Sequence, residues 1–240
     1  MLSIIMPAYN ESKTIEANIN KILANNFGAN FELIVVNDGS DDSTEEIIEK
    51  FRSNPVVKIL NQAQNRGKGS AVKAGANIAS GSHILIFDAD DEYDIRDIKK
   101  LLVPLNEGRC KIVYGVRVRG HGVLQPSLLH QLGNFTMTLS TNLLFGSAIS
   151  DLHTCIKIVP KNLFISLNLE EEGFGLDTEL TAKLLAKNER PFEMPISYVG
   201  RSKAEGKKIT FKDALICFYI LFKIKFFYRA NLKKEKKNAH

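Results

Sequence analysis

Cysteine is scarce in this chain of 240 residues, which contains only Cys110, Cys155 and Cys217. An odd number of widely spaced cysteines, each among apolar residues, implies neither a disulfide framework nor a metal-binding knuckle. The N-terminal residues lack the basic segment, the long apolar run and the small-residue cleavage site of an export signal. We therefore expect a protein of the reducing cytoplasm.

Several catalytic and nucleotide-binding signatures are missing as well. The P-loop spacing of Gly, four residues and Gly-Lys-Ser/Thr is absent, and no Gly-x-Gly-x-x-Gly follows the first apolar segment. These absences argue against nucleotide hydrolysis and hydride transfer. There is no evident motif for a nucleophilic serine or cysteine either.

Little net positive charge lies outside the C-terminal tail. The net charge is +5, and residues 229–237 supply +4 of it, from five basic residues and one glutamate. Nucleic-acid binding calls for basic residues mixed with aromatic ones across a folded face. We therefore expect no nucleic-acid partner.

What the sequence does contain is an alternation of short apolar strands and segments with helical spacing. The composition is 44% hydrophobic and 25% charged, which is enough to bury a good core. This pattern predicts an α/β fold with a mostly parallel sheet covered by helices on both faces. The predicted strands are residues 2–6, 31–37, 56–60, 82–87 and 111–116.

The second half is richer in helices, and no linker separates it from the first. We expect a helix from about 126 to 145, a strand or irregular piece near 153–159, and helices near 160–167 and 177–187. Pro191 and Pro195 bracket a short strand.

The C-terminal segment from Phe211 to Tyr228 is apolar nearly all round in its middle. Its uninterrupted apolar run, residues 214–222, is far shorter than the roughly 20 residues that a membrane-spanning helix needs. Because lysines follow it, we predict an amphipathic helix at the membrane surface, with the basic tail on anionic lipid. The alternative is a helix packed on the body or in a dimer interface. A homo-oligomer is left open.

The acidic cluster after the fourth strand predicts a metal site. Asp88 and Asp90 are two residues apart, so they share one face of an extended chain, and Glu92 continues that face if the chain stays extended. Oxygen ligands at a strand end suit Mg²⁺ or Mn²⁺ bound to a diphosphate. The alternative is a solvated turn. The polar segments Pro7–Glu11 and Asn37–Ser40 also follow strands, and ligands bind at this edge of parallel sheets.

A glycine-rich segment from Arg66 to Ser70 opens a predicted helix. Its backbone N–H groups and the positive end of the helix dipole could meet phosphate, with Arg66 and Lys68 adding charge.

Taken in order, these motifs resemble the family 2 inverting glycosyltransferases, in the branch of the dolichyl-phosphate mannose synthases. The resemblance covers about residues 2 to 215 and implies a GT-A fold, a nucleotide-sugar donor, a divalent metal and often a polyprenyl-phosphate acceptor. The motifs are Pro7-Ala-Tyr-Asn-Glu11, Asn37-Asp-Gly-Ser40, Asn65-Arg-Gly-Lys-Gly69, Phe87-Asp-Ala-Asp90, Tyr114-Gly-Val-Arg117, and Tyr198-Val-Gly-Arg201 with Glu205-Gly-Lys-Lys-Ile209.

The resemblance also implies roles for individual residues. Many relatives have Asp where this chain has Asn37, which leaves the choice between UDP and GDP open. The implied donor-binding residues are Pro7, Ala8, Tyr9, Glu11, Asn37, Asp38, Arg66, Lys68, Asp88 and Ala89. The implied metal ligands are Asp88, Asp90 and Glu92, and the implied catalytic residues are Asp90, Arg117, Arg201 and Lys207.

The sequence leaves two alternatives for the acceptor of the sugar. A lipid phosphate is already ionised at neutral pH and needs no base, whereas a sugar hydroxyl would need one, for which Asp151 and Asp177 are candidates. The helix from 126 to 145 matches the branch least well, because it has His130, Gln131 and Asn134 where relatives often carry arginine. We predict a glycosyltransferase domain over residues 1–210, with a nucleotide-sugar half, 1–120, and an acceptor half, 121–210. The helix and tail, 211–240, would hold it on the cytoplasmic face of the membrane. A non-catalytic homologue and a nucleotidyltransferase are weaker alternatives.

Overall fold

A computed structural model describes residues 1–28, 30–118, 121–124, 128–200 and 211–228. Nine strands and eight helices lie within these ranges. The strands are β1 (Leu2–Ala8), β2 (Phe31–Asn37), β3 (Val57–Asn61), β4 (His83–Ile86), β5 (Val113–Val116), β6 (Val123–Leu124), β7 (Lys157–Pro160), β8 (Phe192–Pro195) and β9 (Tyr198–Val199). The helices are α1 (Ile15–Ala24), α2 (Thr44–Glu49), α3 (Lys68–Ile78), α4 (Asp97–Asn106), α5 (Leu128–Phe145), α6 (Lys161–Ser166), α7 (Leu176–Ala186) and α8 (Phe211–Lys223), and a π-helical turn, Ile224–Tyr228, follows α8.

The central sheet has seven strands in the order β3-β2-β1-β4-β7-β5-β8. The first four are parallel, as the alternation of strands and helices predicts, and β1 pairs with β2 from Leu2 opposite Phe31 to Ala8 opposite Asn37. β7 is antiparallel to both β4 and β5. Its first residues therefore lie at the edge where β1, β2, β4 and β5 end.

Helices cover the sheet closely. α1 turns Ile15, Ile19 and Ile22 into the main core. On α3, a Cβ added to Gly75 would lie 2.7 Å from the side chain of Ile5, so only glycine allows this helix to approach β1 so closely. The main core draws on both halves of the chain, since β7 and β8 complete the same sheet.

A second apolar cluster joins α5, α7, α8 and the π-helical turn. The C-terminal helix contributes Cys217, Ile220 and Leu221 to this cluster, and Ile224 continues it. One face of α8 therefore packs on the body of the protein, which is the alternative that the sequence left open for it. Its other face remains exposed. In the part of the chain that the structure describes, we find no helix with the length and apolar character needed to cross a bilayer.

Candidate functional site

The carboxyl ends of four parallel strands bring the predicted site residues to one edge of the sheet. β1 ends at Ala8, β2 at Asn37, β4 at Ile86 and β5 at Val116. The donor-binding, metal-binding and arginine motifs follow these four strands directly. The sequence prediction that they share one edge is therefore met by the topology.

Asp38 binds the backbone at the start of the glycine-rich segment. Its two carboxylate oxygens accept hydrogen bonds from the backbone N–H groups of Arg66, at 2.9 Å, and Gly67, at 2.8 Å. Its neighbour Asn37 accepts from the Ser40 N–H at 3.1 Å and donates to Glu45 at 3.3 Å. Both side chains are buried. In this structure they shape the turn, and their predicted contact with the donor base stays a prediction.

Arg66 and Lys68 point in different directions. Arg66 pairs with Glu172 at the surface, at 2.5 Å. Lys68, on the first turn of α3, directs its ammonium to Asp88, at 2.9 Å, and to Asp177, at 3.4 Å. Burial lowers the pKa of Lys68, but the two carboxylates outweigh it and hold the pKa well above its usual value. The ammonium is therefore a fixed positive charge beside Asp88.

The acidic loop after β4 is fastened to α1 through one carbonyl. The Ala89 carbonyl oxygen accepts hydrogen bonds from the Thr14 hydroxyl, at 2.7 Å, and from the buried Asn18 amide, at 2.9 Å. Asp88 and Asp90 flank this carbonyl, so the clamp fixes the backbone that carries both carboxylates. Glu11, which the sequence predicts to bind the donor sugar nucleotide, lies on the same side, with a carboxylate oxygen 3.2 Å from the Thr14 hydroxyl oxygen.

The structure does not place the three predicted metal ligands on one face. Asp91 adopts a left-handed φ of 60°, so the chain is not extended there and Glu92 does not continue the face of Asp88 and Asp90. Glu92 instead accepts a hydrogen bond from the Tyr198 hydroxyl at 2.8 Å. Among the described residues, no three His, Cys, Asp or Glu side chains are grouped to hold a metal.

Two carboxylates at the strand end remain as candidate oxygen ligands, those of Asp88 and Asp90. Mg²⁺ is usually bound by one or two carboxylates together with substrate phosphates and water, without a dedicated protein cage. The residues present therefore fit a divalent ion that a diphosphate helps to hold. They do not fit an all-protein site.

Asp177 and Lys157 form a buried ion pair that the sequence prediction missed. Lys157, at the start of β7, is fully buried and lies 2.6 Å from Asp177 at the start of α7. Its ammonium also donates to the carbonyl oxygens of Leu152, at 3.1 Å, and Thr154, at 2.6 Å. A lysine in the middle of the apolar run Cys155-Ile-Lys-Ile-Val159 was the available signal, because a buried ammonium requires a partner.

Arg117 and Asp151 form a second buried ion pair. The guanidinium donates to both carboxylate oxygens, at 2.7 and 2.8 Å, and Asn134 of α5 donates to the same carboxylate at 2.9 Å. The guanidinium also lies 4.9 Å from the ring centroid of Tyr198. Because Tyr198 donates to Glu92, this ring connects the arginine with the acidic loop.

Both carboxylates that could act as a base have low pKa values. Burial raises the pKa of Asp151, but Arg117 outweighs it and holds the pKa at about 2. Burial likewise raises the pKa of Asp177, and Lys157 and Lys68 bring it below its usual value. His153 lies near both pairs, and burial together with Lys157 lowers its pKa to about 4. The histidine is therefore neutral at pH 7, and both aspartates are ionised.

Some predicted site residues cannot be placed in this way. Arg201 and Lys207 lie outside the described residues. Pro7 and Tyr9 are partly buried at the end of β1, and Ala8 is buried, with its carbonyl accepting the Asp38 N–H at 2.8 Å. Their roles toward a nucleotide sugar stay predictions.

Comparison with known proteins finds similarity to glycosyltransferases. The model of the family described as "Glycosyl transferase family 2" matches residues 3–167. The glycosyltransferase AglJ of Haloferax volcanii is 25% identical over 222 residues, covering 92% of this chain and 70% of AglJ. The dolichyl-phosphate β-glucosyltransferase ALG5A of Trichomonas vaginalis is 25% identical over 258 aligned positions, covering 100% of this chain and 77% of ALG5A.

Solved structures agree on the fold. Glucosyl-3-phosphoglycerate synthase from Mycobacterium tuberculosis, in complex with Mn²⁺, UDP and glucosyl-3-phosphoglycerate, superposes with a TM-score of 0.65 at 19% identity. The match covers 85% of this chain and 74% of that one. At this identity the likeness establishes the architecture alone.

Proposed function

The chain belongs to glycosyl transferase family 2, and from that premise we propose that it transfers a hexose from a UDP- or GDP-sugar to a polyprenyl phosphate. The transfer inverts the anomeric centre and uses Mg²⁺ or Mn²⁺. The acceptor would be presented at the cytoplasmic face of a membrane. The Mn²⁺ and UDP bound by the M. tuberculosis structure support the metal and the nucleotide, and the name of the T. vaginalis relative supports the lipid phosphate.

The observation that carries this choice of acceptor is the state of the two candidate bases. A general base for a sugar hydroxyl works best with a pKa near the operating pH. Asp151 has a pKa of about 2 beside Arg117, and Asp177 has a lowered pKa between two lysines. Neither carboxylate is suited to take a proton from a hydroxyl. A phosphate oxygen is ionised at neutral pH and needs position and charge only.

In the proposed reaction, an acceptor phosphate oxygen forms the new bond to the anomeric carbon. The bond from that carbon to the oxygen of the donor diphosphate breaks, and a nucleoside diphosphate leaves. A divalent ion held by Asp88 and Asp90 would supply positive charge to that leaving group. The chain itself fixes the position of Asp88 and Asp90 through the Ala89 clamp, and it holds Arg117 rigidly through Asp151. Preorganised charge of this kind lowers the barrier without reorganisation during the reaction.

The test is a turnover assay with matched acceptors. The full chain is incubated with Mn²⁺ or Mg²⁺, UDP- and GDP-sugars, and either a polyprenyl phosphate, the same polyprenol without phosphate, or a soluble oligosaccharide. We expect lipid-linked sugar and nucleoside diphosphate only when the acceptor is the polyprenyl phosphate. Product from the polyprenol or from the oligosaccharide would overturn the proposal and restore the alternative of a saccharide acceptor in cell-surface polysaccharide synthesis.

A further inference from the structure

Helix α5 has an unusual composition for a helix at a protein surface. Its 18 residues include no Asp, Glu, Lys or Arg. Five large apolar side chains on it are exposed, at intervals of three or four residues that place them along one face: Leu128, Leu132, Phe135, Leu139 and Leu143. Scattered apolar residues are normal on a surface, but a continuous apolar face marks an interaction site.

A different face of α5 contacts the loop that carries Asp151. Asn134 donates to Asp151, and the Thr138 hydroxyl oxygen accepts from the Leu152 N–H at 3.1 Å. Asn142 donates to the Ile149 carbonyl at 2.9 Å. Any surface that α5 rests on is therefore one helix away from the loop whose Asp151 positions Arg117.

Helix α8, which contacts α5, carries a second exposed apolar stripe. The two helices pack against each other in the second apolar cluster. Exposed side chains on α8 and the following turn again recur at three or four residues: Leu215, Tyr219, Phe222 and Phe226. The rings of Phe222 and Phe226 are stacked, with their centroids 6.1 Å apart. We name these four residues and the five of α5 the apolar platform.

Charge indicates what covers the apolar platform. Residues 211–240 contain eight basic and two acidic residues, so they carry +6, whereas the whole chain carries +5 and residues 1–210 therefore carry −1. A symmetric contact between two copies places the same patch of each copy together. Here the patch includes α8, which continues along the chain into a strongly basic segment, so like charges would be joined to both sides of that contact. An anionic bilayer surface attracts the same segments, with each basic residue near the surface contributing to binding.

We propose that the apolar platform rests on an anionic lipid bilayer, with α5 and α8 lying in the plane of the headgroup region. The sequence predicts such a contact for α8 alone, and the structure adds α5, another face of which contacts the loop that carries Asp151. The proposal deepens the proposed function, because it names the surface from which the lipid phosphate would enter.

The test compares charge placed on the platform with charge placed elsewhere. Phe135→Glu and Leu139→Glu change side chains that are 63% and 46% exposed, and the control Val103→Glu on α4 changes one that is 43% exposed. Binding is measured by flotation with vesicles of phosphatidylglycerol and phosphatidylcholine. We expect each platform variant to bind about tenfold or more weakly than the unmodified chain, since one large apolar side chain no longer enters the lipid. Val103→Glu should bind as the unmodified chain does.

Three further outcomes would overturn the bilayer proposal. One is equal binding by the platform variants and the unmodified chain, and another is equal binding to purely zwitterionic vesicles. The third is a dimer in light scattering that Leu139→Glu dissociates, which would assign the platform to a second copy. Donor binding by calorimetry serves as the check that each variant is folded.

The outcome for the proposed function is separate. Vesicle binding that depends on the platform, without lipid-linked sugar from the unmodified chain, would end the acceptor assignment and leave the bilayer contact standing. If the unmodified chain makes lipid-linked sugar but the platform variants bind vesicles as well as it does, the bilayer contact falls and the acceptor assignment stands.

Discussion

Replacing Lys157 by methionine should destabilise the protein strongly, because the change leaves buried groups without their partner. Lys157 is fully buried, and its ammonium neutralises Asp177 at 2.6 Å while donating to the carbonyl oxygens of Leu152 and Thr154. Methionine has a similar length but provides neither charge nor donor. Asp177 would keep Lys68, at 3.4 Å, as its remaining cation.

The size of the effect follows from the burial of the pair. Removing one partner of a buried ion pair costs about 3–5 kcal/mol, because the other charge is left uncompensated. For a chain of this size, a loss of that order lowers the melting temperature by about 6–20 °C. Replacing both partners with apolar residues removes the uncompensated charge. We therefore expect Lys157→Met combined with Asp177→Leu to be more stable than Lys157→Met alone.

The assay is equilibrium unfolding in urea at pH 7, on the unmodified chain, both variants and a control. Lys50→Met serves as the control because Lys50 pairs with Glu16 at 3.6 Å with both side chains half exposed, and such pairs contribute at most about 1 kcal/mol. A loss below about 1 kcal/mol for Lys157→Met would refute the argument. So would a double variant whose loss equals or exceeds that of Lys157→Met.

Three other changes test the acidic loop and the buried histidine. Asp90→Asn should weaken metal-dependent donor binding at least about tenfold in calorimetry, whereas the neighbouring Asp91→Asn, which alters an exposed pair with Lys21, should not. Asn18→Ala removes one hydrogen bond to the Ala89 carbonyl and should cost about 1 kcal/mol in urea unfolding while weakening the same donor binding; unchanged donor binding would contradict the clamp. Because burial and Lys157 hold the pKa of His153 at about 4 in the folded state, below its value of 6.5 when unfolded, its stabilising contribution is complete above pH 6.5 and falls by up to about 1.4 kcal/mol per pH unit toward pH 4. In His153→Gln, the urea midpoint should depend less on pH between pH 7 and pH 5. An unchanged pH dependence would assign the effect to other groups.

The strand order along the chain was predictable because the strands are continuous apolar runs. The predicted strands 2–6, 31–37 and 56–60 correspond to β1, β2 and β3 within two residues at each end. A strand buried on both faces has no polar alternation to obscure it. The long helix predicted from about 126 is also present, as α5 from Leu128 to Phe145.

The direction of β7 was beyond such a prediction. The segment near 153–159 reads as a strand from its own residues, but nothing local specifies that it lies antiparallel between β4 and β5. This insertion carries Lys157 to the edge of the sheet where it meets Asp177, 20 residues away in sequence. Pairings between distant residues depend on the assembled fold, which is why the buried pair was missed.

The expectation that Glu92 continues the face of Asp88 and Asp90 was wrong for a local reason. It assumed that the chain stays extended from Asp88 to Glu92, and the left-handed turn at Asp91 breaks that extension. Aspartate adopts this conformation more readily than most residues, but it does so only in some contexts. Tyr198, which takes Glu92 as its partner, lies 106 residues further on.

By itself, the sequence determined the alternation of strands and helices, the placing of polar motifs after strands, and the family to which their order belongs, because each is encoded in residues close together along the chain. Only the tertiary structure decided which charges neutralise one another. It paired Asp151 with Arg117 and Asp177 with Lys157, and so turned two candidate bases into fixed anions. The pKa of a carboxylate is set by the burial and the charges around it, and the fold supplies both.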